Sequence, residues 1–146
     1  MTIQNWIDLL VPIIGVVIAV ISASLTYFFA KNQQIAADER RLKEKYYLNY
    51  IEAISNDVVS NNLNKARDQL SDAQNQLLLV GSSEVVAKLM LFHDYVKPSN
   101  QQNFVPEKHD ELLTDLLKSM RYDLYKNPKV NSGYPIIHLT GRAPRK

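Results

Sequence analysis

Residues 9–30 read LLVPIIGVVIAVISASLTYFFA, 22 residues without a charge. A helix crosses the apolar core of a bilayer in about 20 residues at roughly 1.5 Å each. The stretch is therefore predicted to be a transmembrane helix, and the rest of the chain is read as material held at a membrane surface. Trp6 marks one end and Tyr27, Phe28 and Phe29 the other, where an aromatic body can stay buried while its polar edge stays wet. A cleaved signal peptide would carry a basic n-region and a shorter apolar run. Here no Lys or Arg precedes the run, although Ser22-Ala23-Ser24 resembles a small-residue cleavage site. A core helix of a soluble protein would show polar positions at helical spacing.

The flanking charges set an expected orientation. Asp8 is the only charged side chain before the run, while Lys31, Arg40, Arg41, Lys43 and Lys45 follow it. The positive-inside bias is mainly a count of Lys and Arg, so Asp38, Glu39 and Glu44 do not cancel it. It predicts an outer N-terminus and a cytoplasmic remainder, as in a single-pass protein.

Within the run, Gly15, Ala19 and Ala23 recur every four residues, and Ser22, Thr26 and Ala30 extend that small face. Small side chains let two helix backbones approach closely and gain dispersion contact. Gly15, Ala19, Ser22, Ala23 and Thr26 are the predicted seam for self-association. Ser22 and Thr26 either bond across it or back to their own helix. Pro12 lies near the outer end, where few backbone bonds precede it.

Of the 146 residues, 116 follow Ala30, one domain's worth. There is no cysteine, hence no disulfide, thiolate metal site or Cys nucleophile. The net charge of +2 argues against nucleic acid as a partner. Residues 31–45 lack Gly and Pro and continue the helix as a solvated stalk. Tyr47, Ile51, Ile54 and Val58 then mark an amphipathic stripe, broadened by Tyr46 and Tyr50. Residues 60–62 are a predicted break. A second helix carries Leu63, Ala66, Leu70, Ala73 and Leu77 to Gly81. A third is capped by Ser82 or Ser83 and carries Val85, Val86, Leu89, Met90, Phe92 and Val96 up to Pro98. Residues 97–106 read as a polar loop. Pro106 opens a fourth helix with Leu112, Leu113, Leu116, Leu117, Met120 and Leu124, ended by Asn127-Pro128.

The predicted fold class is all-α: a transmembrane anchor over 1–30, a cytosolic antiparallel helical bundle over 31–126, and an irregular basic tail over 127–146. From Leu124 to Lys146 there are five bases, Lys126, Lys129, Arg142, Arg145 and Lys146, and no acid. Such a tail can meet anionic headgroups, at about 1 kcal/mol per base near the surface. Arg121 and Asp123, late in the fourth helix, form a candidate interhelical pair.

No catalytic, cofactor or metal site is read from the sequence. His93, His109 and His138 lack the i, i+3 or i, i+4 partners of helical metal sites and read as surface or interface histidines. No glycine loop for phosphate and no nucleophile elbow is present. No Arg stands four to six residues before a His, so the ribonuclease residues of HEPN-type helical domains are lacking. The stretches VGSSEVV and LLKSMRYDL resemble those of small bacterial proteins with one N-terminal span and a helical cytosolic domain. Some proteins of that layout are membrane accessories of anti-phage systems, CRISPR-associated ones included. The small-residue face, the stalk and the lack of catalytic residues point to a non-enzymatic protein whose partners are the bilayer and further copies of itself, assembling a channel or perturbing the membrane, and the resemblance implies that this membrane is a bacterial inner membrane. The alternative is a membrane-anchored scaffold that recruits a cytosolic protein. A cryptic hydrolase ranks last.

Overall fold

The computed structural model describes residues 3–59, 63–125 and 135–138. The predicted break at 60–62 and the basic positions Lys126, Lys129, Arg142, Arg145 and Lys146 lie outside the described residues. Four α-helices and one short 3-10 helix account for the described elements: α1 Ile3–Val59, α2 Leu63–Val80, α3 Ser83–Val96, the 3-10 turn Pro98–Asn103, and α4 Pro106–Tyr125. No strand occurs among the described residues. The all-helical class is as expected.

α1 is a single helix that continues through Pro12. One N–H is lost there, and the helix lies only two turns from its start. The chain divides into two compact units, Met1–Glu39 and Arg40–Lys146. In the first unit every described side chain is exposed.

The second unit has one apolar core to which all four helices contribute. It contains Tyr47, Tyr50, Ala53 and Ile54 of α1, Ala73 and Leu77 of α2, Val85, Leu89 and Phe92 of α3, and Leu113, Leu116 and Met120 of α4. Leu77, Val85, Leu89, Leu113 and Leu116 are completely buried. α3 and α4 pack directly on one another. The buried stripe of α1 is rotated from the predicted one. Tyr50 is 2% exposed, as deep as Tyr47, while Ile51 is only half-buried. Ala53 and Ile54 complete the stripe, so large aromatic area outweighs the aliphatic spacing.

The turn from α2 to α3 is tight. The Gly81 N–H donates to the Leu77 carbonyl at 2.9 Å. A Cβ there would sit 3.0 Å from that oxygen and 3.3 Å from a Val85 methyl. Ser82 is the N-cap of α3: its hydroxyl accepts from Val85 N–H at 3.4 Å, and Glu84 lies in the first turn, where the macrodipole favours an acid. The predicted loop between α3 and α4 contains the 3-10 turn instead. Tyr95 organises it: its hydroxyl accepts from Val105 N–H at 2.6 Å, and the Tyr95 carbonyl accepts from the Asn100 amide at 3.1 Å. These side-chain bonds replace a regular ladder, and hydrophobic periodicity carries no sign of them.

Candidate functional site

Three features of the two units bear on function: the apolar surface of α1, a polar cluster where α1 meets α4, and a segment held on α4.

Between Leu10 and Phe29, thirteen large apolar side chains are each at least 45% exposed. α1 is the one described helix long and apolar enough to cross a membrane. Left in water, this surface would forgo on the order of 10–20 kcal/mol of burial, comparable with the whole stability of a small domain. Two hydroxyls in the segment are satisfied within the helix. Ser24 donates to the Val20 carbonyl and Thr26 to the Ser22 carbonyl, both at 2.8 Å. Closing these bonds inside the helix removes the penalty of an unpaired hydroxyl in an apolar medium. Gly15, Ala19, Ser22, Ala23 and Thr26 are all exposed, and a methyl group added at Gly15 would meet nothing within 4 Å beyond its chain neighbours and the local helix backbone.

The second feature lies wholly in the Arg40–Lys146 unit. Asp123 of α4 accepts from Lys43 Nζ at 3.0 Å and from the Tyr47 hydroxyl at 2.5 Å, both on α1. The Asp123 side chain is 13% exposed and that of Lys43 29%. Burial alone would raise the Asp123 carboxyl. Hydrogen bonds from Lys43 and Tyr47, together with the Lys43 charge, outweigh it and hold the carboxyl below its ordinary value. Burial and the neighbouring carboxylate push the Tyr47 phenol in the opposite direction, well above its usual value. Arg40 stacks over the Tyr125 ring at 4.5 Å from the centroid, one turn before Lys43. Of the predicted pair, Asp123 therefore does link two helices, through Lys43 and Tyr47, and Arg121 lies exposed on α4. Lys43 and Tyr47 are i and i+4 on one face of α1, which was legible in the sequence. Their shared partner, 80 and 76 residues away, was not.

The third feature corrects the reading of His109. It is 8% exposed, not a surface residue, and its ring lies 5.3 Å from Phe92 and 5.6 Å from Phe104 by centroid. Its Nδ1 is 3.1 Å from Asp110 Oδ1. His138 Nδ1 contacts the other oxygen of Asp110, and Ile137 N–H donates to the Thr114 hydroxyl at 2.9 Å. Asp110 and Thr114 lie one turn apart on α4 and are 9% and 2% exposed. Burial would raise the Asp110 carboxyl, but bonds to His109 and His138 more than offset this and lower it. Residues 135–138 thus lie on α4 without helix or strand of their own. A polar threonine and an aspartate on the buried side of α4 were the sequence signal for this contact. Among the described residues, no group of three or more His, Asp or Glu is arranged to hold a metal ion.

No family model, no curated protein and no solved structure matches this chain.

Proposed function

We propose that this chain is a single-pass membrane protein whose span and helical domain self-associate. In the full proposal the N-terminus faces outward, residues 31–146 are cytoplasmic, and the assembled spans form a channel or perturb a bacterial inner membrane. The observation that carries it is the segment from Leu10 to Phe29. Its large apolar side chains are exposed, its described hydroxyl bonds close within the helix, and α1 carries that segment without a break into the residues of a well-packed core. A bilayer supplies the burial that the single chain does not. The small residues from Gly15 to Thr26 supply a column on which a second copy of the helix can pack closely. A role in bacterial defence rests on the layout, one N-terminal span followed by a helical domain, which is shared with membrane accessories of anti-phage systems.

The test has two parts. Alkaline extraction of membranes should leave the full chain in the pellet, and release into the supernatant would end the proposal. Gly15→Leu with Ala19→Leu should break the detergent-solubilised oligomer and abolish ion leakage on overexpression. Unchanged leakage would remove the channel reading.

A scaffold function is the second reading. Leu78 and Leu79, 39% and 87% exposed at the end of α2, are the apolar surface such a contact would use. Under that reading Leu79→Glu abolishes recruitment of a cytosolic protein while Gly15→Leu leaves it intact.

A further inference from the structure

The Arg40–Lys146 unit contains a cleft of about 360 Å³ between the end of α1, α2 and the end of α3. That is within the size range of small-molecule sites, roughly 300–1,000 Å³. Its lining is divided by chemistry. Arg67 of α2 and His93 and Lys97 of the α3 end supply cationic or protonatable groups. Ser71, Gln74 and Asn75 supply neutral hydrogen-bonding groups along α2. Leu70, Val96 and Pro98 form an apolar wall, and Asp57 is the one carboxylate among the described lining residues.

His93 and Lys97 have an ordinary structural use, because bases near the last turn of a helix complement its free carbonyls. Lys97 also pairs with Asp94 at 3.1 Å, a partner whose side chain is 62% exposed. Neither account covers Arg67. It comes from a different helix, is exposed, and pairs with no carboxylate among the described residues. Arg67 of α2 and His93 and Lys97 at the end of α3 thus line one cleft, an arrangement that brings basic side chains from two helices to the same opening. It is a good arrangement for an anion, which can take charge-assisted hydrogen bonds from several sides. The apolar wall suits an uncharged body attached to that anion, and Asp57 can accept from an N–H at its far end.

The geometry points to a binding site for a small phosphorylated ligand of mononucleotide size, its phosphate on Arg67, His93 and Lys97 and its body against Leu70, Val96 and Pro98. This site is independent of the membrane reading and would stand if that reading fell.

Isothermal titration of the purified full chain with AMP, adenosine and inorganic phosphate tests it. AMP should bind, with adenosine and phosphate each at least about tenfold weaker, since one lacks the anion and the other the body. Arg67→Ala and Lys97→Ala should each weaken AMP binding about tenfold, the usual scale for losing one charge-assisted bond. Lys31→Ala, in the other unit, should change nothing. Arg67 and Lys97 are exposed, so circular dichroism should show both variants folded like the unchanged chain. No AMP binding, equal binding of adenosine, or an Arg67→Ala chain that binds AMP undiminished would overturn the site.

Discussion

One helix supplies both sides of an instructive contrast. From Leu10 to Glu39, α1 exposes every side chain, and its apolar residues touch no core. From Arg40 onward the same helix buries Tyr47, Tyr50, Ala53 and Ile54 and sends Lys43 to a carboxylate on α4. Both halves are helical and both are rich in apolar residues. They differ in how those residues are distributed. An all-round apolar surface finds no partner within one chain and needs a different solvent or another copy. A stripe finds its partner in the other helices of the same domain.

The largest effect that would sharpen this contrast comes from making one change twice. Leu116→Ala removes a fully buried side chain and should cost about 2–5 kcal/mol of unfolding free energy, read by denaturant titration. Leu25→Ala, at a position 53% exposed, should cost no more than about 0.5 kcal/mol in the same measurement. Equal losses would mean that the first segment is packed in a soluble assembly, and the contrast would disappear.

Val17→Lys probes the other side. A lysine at the middle of a span is disfavoured by about 2.5–3.5 kcal/mol on insertion scales. The variant should shift from the membrane fraction toward the soluble or degraded fraction, with the melting of the helical domain unchanged.

Asp123→Ala should cost about 1–3 kcal/mol, because it leaves the Lys43 ammonium and the Tyr47 hydroxyl without their shared acceptor. A double-mutant cycle with Lys43→Met isolates the pair, and a coupling near zero would reduce it to a surface contact.

Acid should act on the second unit through two carboxyls. Asp110 and Asp123 both sit below their ordinary values in the folded chain. Each therefore adds stability above the unfolded carboxyl value near 4, and that increment is lost as pH falls through the lowered folded value. The melting temperature should drop below about pH 4, and Asp110→Asn with Asp123→Asn should flatten that drop. An unchanged profile would mean that other carboxylates govern it.

The smallest effect is at the α2–α3 turn. Gly81→Ala places a methyl 3.0 Å from the Leu77 carbonyl oxygen, and a loss of about 1 kcal/mol is expected by thermal melting.

Much of the fold was legible because its signals are local. The uncharged run of 22 residues, the Leu and Ala spacing of α2, the Ser82 cap and the Pro106 start each lie within a few residues, and each maps onto a described helix. The functional groups were less legible because their partners are distant in sequence. Asp123 could be recognised as a polar residue on an apolar helix, yet its bond to Tyr47 spans 76 positions. His109 read as a surface or interface residue because it lacks the spacing of a helical metal ligand, whereas Phe92 and Phe104 lie against its ring within the chain. The Arg67 cleft needed three segments that share no motif.

By itself the sequence determined that this chain is helical and that one segment is apolar on all sides, since both follow from composition and periodicity along a single helix. Only the tertiary structure decided which face of α1 is buried, which carboxylates hold α1 and residues 135–138 to α4, and that Arg67, His93 and Lys97 line one cleft. Those outcomes depend on side chains meeting across the core, and one-dimensional order does not encode which distant residues will be brought within 3 Å.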